Sequence, residues 1–542
     1  MKRITLALPA PYVGLRPFKE GEALLFFGRD AHVRDLLRKF GQQRFTAVIG
    51  VSGSGKSSLV RAGLIPALHR GDLSRAGHRW NVLIFKPGNA PLVNLAKKLV
   101  RDERWLGATN GTPEHYLAHA LAVSPLTLAE MYRTRDSFAG EAVLLVVDQF
   151  EEIFRYRRGD AKERQDSPDQ ANIDEAEAFV KLLLRSAAEP EVPIYVLITM
   201  RTDFLGQCSV FYGLPEAING GIYLTPRLDR DQLTSVIASP PGLAGGGIDG
   251  ALVAHLINTL GDEDELPVLE HALLRMWQHA RENGRSHLDE SDFEAMCRPP
   301  ADPGLGKAGA DQTAQTEVPK SPRLKYALDS HASEIYDKLP PAQQRIGRRL
   351  FLALSERREA QDLRRPQRLC ELVEQIGPET RDDVLAVIEV FRAEGVGFLM
   401  PPAREALSDG KVIDISHESL IRQWRYFRRW LREEEADVAE LREWQHRTAQ
   451  YRDHGGGWLD ENDAARAARW RARIEGRGYP KAWLKRYFPS DPVAAEAVFA
   501  YIDESATRVS VDRENRKRLE REAKEAEIKR LEAEARLQQE IA

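Results

Sequence analysis

Between about residues 45 and 225, short apolar runs alternate with stretches of helical period. Ala47–Ile49, Val82–Phe85, Val143–Val147, Ile194–Thr199 and Ile222–Leu224 are rich in β-branched and apolar residues at consecutive positions. That continuity, rather than strict alternation, predicts strands buried on both faces of a parallel sheet. Strands alternating with helices predict a layered α/β domain with helices on both faces.

Beyond residue 230 strands become scarce and the helical period takes over. Cys297–Lys325 is rich in Pro, Gly, Ala and Thr without apolar patterning, which predicts a linker or insertion. Residues 326–416 predict helices ending in a hairpin, Gly397-Phe398-Leu399-Met400 and Val412-Ile413-Asp414-Ile415 across a Pro-Pro turn, the order of a winged helix. From 417 to about 508 the helical pattern returns and carries Trp424, Trp430, Trp444, Trp458, Trp470 and Trp483. These are expected to pack between helices; a stacking platform for bases or a peptide groove is the other reading. In the last segment Leu519, Ala523, Ala526, Ala533 and Leu537 fall at heptad-compatible spacing, but Arg530 interrupts the seam. A solvated charged helix is favoured there over a strong coiled coil.

A chain of 542 residues exceeds one hydrophobic core and divides into several domains. Its 78 basic and 82 acidic residues leave a net charge of −4, with no bulk attraction to nucleic acid or to a membrane surface. Arg345, Arg348, Arg349, Arg357, Arg358, Arg364, Arg365 and Arg368 form a local basic run, read as a solvated helix face. Three cysteines, Cys208, Cys297 and Cys370, lie far apart without metal-ligand spacing, which favours a reducing compartment. The opening Met1-Lys2-Arg3-Ile4-Thr5-Leu6-Ala7-Leu8 imitates a secretory signal but is cut short by Pro9 and Pro11. No apolar run reaches the roughly 18 residues a membrane span requires. The expected location is therefore the cytoplasm.

Gly50-Val51-Ser52-Gly53-Ser54-Gly55-Lys56-Ser57 matches G-x-x-x-x-G-K-[ST] at every fixed position, and Ser58 follows. A predicted strand precedes it and a helix follows. Glycines let the backbone curl so that its N–H groups surround phosphate oxygens, and the helix N-terminus adds its dipole. Lys56 is placed to reach the β- and γ-phosphates of ATP, and Ser57 to ligate Mg²⁺. Val143–Val147 ends in Asp148, the acid expected to hold Mg²⁺ from the far side. Glu151 and Glu152 follow, and either is a candidate to polarise the attacking water, with Glu152 slightly preferred. The strand Ile194–Thr199 delivers Arg201 to the same sheet edge, where it either senses the γ-phosphate or pairs with Asp203 or another carboxylate.

With Tyr12-Val13-Gly14-Leu15-Arg16-Pro17-Phe18, Phe26-Phe27-Gly28-Arg29-Asp30 and Asp148-Gln149-Phe150-Glu151-Glu152, these motifs resemble the STAND class of signal-transducing ATPases. The match is to its bacterial novel STAND branch. Glu265–Leu273, Leu363–Pro366 and Ile413–Trp424 resemble that family's helical and winged-helix segments. The resemblance implies that Arg29 lies near the adenine, with Asp30 replacing the commoner Glu, and that His417 is the candidate to touch the β-phosphate of ADP. A helix N-terminal structural histidine is the competing role for His417.

The fold class expected is therefore an α/β P-loop NTPase followed by an α-helical lid, a winged helix and C-terminal helical regions. Its divisions are an adenine-pocket segment 1–44, the NTPase core 45–228, a helical domain 229–297, the linker 298–325, a winged helix 326–430, a Trp-rich region 431–508 and a charged helix 509–542. The resemblance further implies a slowly hydrolysing ATPase switch in bacterial signalling, stress response or antiphage defence. It would be closed with ADP, and opened or oligomerised with ATP. A homo-oligomer and a separate sensor or effector are the partners implied. A nucleotide-stabilised scaffold and a nucleic-acid-associated regulator are the alternatives, the latter disfavoured by the balanced charge.

Overall fold

The computed structural model describes residues 10–73, 79–106, 114–135, 138, 140–157, 170–260, 266–298, 323–358, 361–377, 381–477, 483, 486–487 and 492–541. The signal-like start, residues 299–322 of the expected linker, and Glu265 lie outside the described residues. Contacts group the chain into two units. One runs to His331 and includes Ser416–Gln423; the other comprises Ala332–Ile415 and the chain from Trp424 onward.

The first unit is built on five parallel strands, β1 (Phe45–Gly50), β2 (Trp80–Phe85), β3 (Ala142–Val147), β4 (Ile194–Arg201) and β5 (Ile222–Leu224), in the order β2-β3-β4-β1-β5. Each of the five predicted runs became one of these strands. Side chains alternate across the sheet. Val143, Leu145 and Val147 join Phe85, Phe150 and Phe179 on one face, while Leu144 and Val146 join Phe40, Leu59 and Leu68 on the other. Both faces are dry, and this is why the strands read as unbroken apolar runs.

The helices Arg230–Leu243, Gly250–Thr259, Leu266–Glu282 and Glu290–Met296 enclose a core of Ile237, Leu256, Leu269, Leu273, Trp277 and Phe293. Tyr12 inserts into that core, and its hydroxyl donates to the Ile237 carbonyl at 2.7 Å. The Val13 N–H reaches Glu270, whose carboxyl burial pushes up to about 7, against the opposing effects of that bond and of Arg16. Gly14 sits at φ +71°, and a Cβ there would lie 2.9 Å from Leu274. Phe18 then packs edge-on against Phe26, with its N–H on the Ser58 hydroxyl at 3.2 Å. The segment from Tyr12 to Phe18 is thus an integral part of the first unit.

In the second unit, helices Pro341–Ala353, Leu369–Ile376 and Arg381–Arg392 precede an antiparallel pair, Leu399–Met400 against Val412–Ile415, with Gln367–Arg368 on the far side of the latter. Of the basic run expected to be a solvated helix face, Arg345, Arg348 and Arg349 lie on the helix Pro341–Ala353, while a further hairpin, Ser355–Arg358 with Gln361–Arg364, takes up the later part. The run's arginines are largely engaged. Arg348 pairs with Glu433, Arg357 with Glu435 and Arg364 with Asp414, while Arg349 donates to the Ile376 carbonyl.

The tryptophans divide clearly. Trp424, Trp430, Trp444, Trp470 and Trp483 are all at most 6% exposed. Trp424 stacks edge-on with Phe351 at 4.9 Å and with Trp430 at 5.1 Å. Trp470 donates to the Asp437 carbonyl and Trp483 to Glu434. Five rings buried in this way serve packing and not base stacking. The helix Pro492–Ile541 leaves Leu519, Ile528, Leu531 and Leu537 more than half exposed, the form of a solvated charged helix.

Candidate functional site: the loop after the first strand

The loop from Gly50 to Gly55 needs conformations only glycine adopts without cost: Gly53 and Gly55 lie at φ +85° and +86°. A Cβ on Gly50 would come within 2.7 Å of the Ser54 Oγ and 3.2 Å of Thr225, so the chain approaches itself closely at the strand end. The buried hydroxyls of Ser54 and Thr225 have no hydrogen-bond partner among the described residues. Val51 is exposed at the rim. Lys56 Nζ donates to the carbonyls of Gly50 at 2.9 Å and Val51 at 2.6 Å, and burial pulls its ammonium below the usual lysine range, opposed first by Glu151. Ser58 turns away from the loop to accept the Phe18 N–H.

Asp148 stands at the end of β3, almost fully buried. Its Oδ1 accepts the hydroxyls of Ser57 at 2.7 Å and Thr199 at 2.8 Å, and its Oδ2 accepts Arg61 Nη2 at 2.9 Å. Burial alone would raise its pKa, but Arg61, the Ser57 hydroxyl, Lys86 and Thr199 outweigh it and hold the carboxyl below the usual range. The next residue, Gln149, is the sole non-glycine with positive φ, +63°, among the described residues; its N–H bonds Thr199 Oγ1 at 2.9 Å. That turn brings Phe150 and the two glutamates back across β4. Glu152 accepts the Gly88 N–H at 3.0 Å, while Glu151 acts electrostatically on both Lys56 and Arg201.

Arg201, at the end of β4, donates from Nη1 to both oxygens of Glu418, at 2.7 and 2.8 Å, and also pairs with Asp203. The carboxylate partner left open by the motif is therefore double, and one half of it lies 217 residues away in sequence. Glu418 begins the short helix Glu418–Gln423. His417 precedes it, and its Nδ1 accepts the Ser419 N–H at 3.1 Å. With the Ser419 N–H donating to Nδ1, the tautomer that fits carries its ring hydrogen on Nε2. Arg29 is buried and donates to the carbonyls of Ser54 at 2.9 Å and Pro226 at 2.7 Å, clamping the loop from below.

The geometry gathers Gly50–Ser57, Asp148, Glu151 and Arg201 at the carboxyl edge of the sheet, where open α/β folds bind ligands. Ser57 and Asp148 offer hard oxygen donors that would suit Mg²⁺. Among the described residues no cluster of three or more His, Cys, Asp or Glu side chains forms a self-sufficient metal cage. Arg61 and Glu418 were not singled out as site residues. Arg61 is four residues after Ser57, the spacing that shares a helix face, and this signal was present in the chain.

A family model described as Novel STAND NTPase 1 matches residues 11–304 and 306–457. The chain is a novel STAND NTPase. As such it is an ATP-hydrolysing P-loop enzyme. No curated protein sequence matches the novel STAND NTPase. Solved structures similar to it include the Aeropyrum pernix ORC2 protein, 12% identical with a TM-score of 0.35 over 75% of this chain and 95% of that one. Cdc6p from Pyrobaculum aerophilum is 13% identical, with a TM-score of 0.33 over 75% and 94%. The Walker-type ATPase paby2304 of Pyrococcus abyssi is 12% identical, with a TM-score of 0.34 over 75% and 97%.

Proposed function

We propose that this novel STAND NTPase is a nucleotide-controlled switch, held closed with ADP and opened or assembled with ATP. The observation that carries the reading is the fork between Arg201 and Glu418. The segment Ser416–Gln423 groups with the NTPase unit although the chain on either side of it belongs to the second unit. Its Glu418 occupies the arginine best placed to meet a γ-phosphate. Nucleotide shifts such an equilibrium only through contacts that differ between the two forms. A pair that Arg201 exchanges for a third phosphate is one such contact; a bond from the Nε2 hydrogen of His417 to the β-phosphate of ADP is another.

The helices and antiparallel strands between Pro341 and Ile415 follow the order of a winged helix, which supports reading this region as the moving part of the switch. In the nucleotide site Lys56 exchanges its loop carbonyls for phosphate oxygens. Ser57 and Asp148 would hold Mg²⁺, which would supply charge neutralisation on the phosphates. Glu151 polarises the attacking water. The hydrogen bond from Gly88 to Glu152 supports Glu151 rather than Glu152 in that role. The output is signalling through an assembled homo-oligomer and an unidentified sensor or effector, with stress response or antiphage defence as the role the family suggests.

The test is to purify the chain, extract its nucleotide for chromatography, and follow mass by light scattering on adding ATP and Mg²⁺. Co-purified ADP on a monomer that assembles with ATP is the expected result. A chain that holds nucleotide but whose mass ignores ATP, in the parent and in the Glu418→Ala variant alike, would favour the scaffold reading instead.

A further inference from the structure

Arg61 lies on the helix that follows the phosphate loop, and no motif assigns it a role. Lys56–Ser58 begins that helix, a π-helical turn from Leu59 to Leu64 continues it, closed by the Ile65 N–H on the Val60 carbonyl, and Ile65–His69 completes it. Pro66 lacks an N–H and its ring excludes the carbonyl four residues back, so a widened turn just before it is the natural accommodation. Such turns concentrate at functional sites.

Along this helix Ser57 and Arg61 hold the two oxygens of one carboxylate, Oδ1 and Oδ2 of Asp148, at 2.7 and 2.9 Å. Thr199 shares Oδ1 from β4. Asp148 is only 3% exposed, so its negative charge is poorly screened by water. Diphosphate bound in the adjacent loop would face that charge directly. A divalent cation ordinarily removes the repulsion; here a cation tethered to the helix already sits on the carboxylate, with Lys86 at the end of β2 adding a weaker positive field.

We propose that Arg61 is a positioning residue that acts as a built-in counter-cation for Asp148, fixing its orientation and letting the site retain ADP without Mg²⁺. This rests on the reading of the site as an ADP-holding switch. Mg²⁺ is then needed for ATP and its hydrolysis but not for storing the closed state.

The experiment measures binding of a fluorescent ADP analogue to the full chain, in Mg²⁺ and in EDTA, for the parent, Arg61→Met and Arg61→Lys. The parent should bind within about 5-fold in the two media. Arg61→Met should lose roughly 20-fold or more in EDTA and recover to within a few-fold of the parent in Mg²⁺, a pattern that a folding defect would not produce. Arg61→Lys should restore most of the EDTA affinity. A parent that releases ADP in EDTA, or an Arg61→Met variant with the parent's ratio between media, overturns the inference while leaving the switch reading intact. A parent that binds ADP in neither medium overturns the switch reading and the inference together.

Discussion

Replacing Glu418 by alanine removes both hydrogen bonds to Arg201 Nη1 and leaves the guanidinium paired with Asp203, with Glu151 acting on it electrostatically. The side chains of Arg201 and Glu418 are only 12% and 8% exposed, so the pair is not an ordinary surface ion pair. Breaking a buried pair from one side costs about 3–5 kcal/mol. Asp203 remains and its side chain is about half exposed, which lowers the expected loss to about 2 kcal/mol. If the pair exists only in the closed form, that loss moves the closed-to-open equilibrium by about 30-fold.

The assay is the release rate of a fluorescent ADP analogue chased with unlabelled ADP, beside light scattering in ATP. Faster release and assembly at lower ATP are expected. Glu418→Gln keeps the volume and one acceptor oxygen and should fall between alanine and the parent. A double-mutant cycle with Arg201→Ala should return most of the effect as coupling. If Glu418→Ala lowers the melting temperature by the full amount yet leaves ADP release within about twofold, the pair is structural only and the reasoning fails.

Of the two glutamates, Glu151→Gln should abolish turnover with ATP binding kept, whereas Glu152→Gln should chiefly loosen the Gly88 contact; steady-state hydrolysis beside ATP affinity separates them. His417→Ala should accelerate ADP release, and His417→Asn, which can still accept the Ser419 N–H, should do so too if the ring's phosphate bond matters; recovery in the asparagine variant would limit His417 to capping the helix. Gly28→Ala places a Cβ 2.5 Å from the Gln232 carbonyl at φ +76° and should cost several degrees of melting temperature. The raised carboxyl of Glu270 binds its proton in the folded state from about pH 4.5 to 7, where the unfolded chain has released it, so its contribution is full at low pH and is lost as pH rises through about 7. Glu270→Gln should therefore gain melting temperature relative to the parent between pH 5 and 7; a constant difference would show that the carboxyl is not held protonated.

The sheet and the phosphate loop were legible in the chain because their causes are local. Consecutive apolar residues mark strands covered on both faces, and the glycines of the loop are demanded by its own backbone. Asp148 was legible from its place at the end of such a strand. The hairpin Ser355–Arg364 was not, because arginines at that spacing suit a solvated helix equally well. The carboxylate partner of Arg357, Glu435, comes from a distant helix. Arg201 was legible as a candidate but its partner was not, since Glu418 lies 217 residues further along and nothing local to β4 specifies it. Tyr12 reads as a motif residue, and only tertiary packing places it in the core around Ile237 and Trp277.

The π-helical turn between Leu59 and Leu64 carries one residue more than an α-helix of the same length would use. Straightening that turn into regular α-helix without removing the extra residue would rotate everything after it by about 100° relative to Lys56 and Ser57. Leu64, Ile65 and Leu68 would then swing off the face that packs against β3 and β4, while Gly63, which has no room for a Cβ beside Val33, would be replaced there by a larger neighbour. The phosphate loop and its helix are thus a single exchangeable part: a loop transplanted from an enzyme with a straight helix would have to bring its whole helix, and the residues that pack beneath it, along with it.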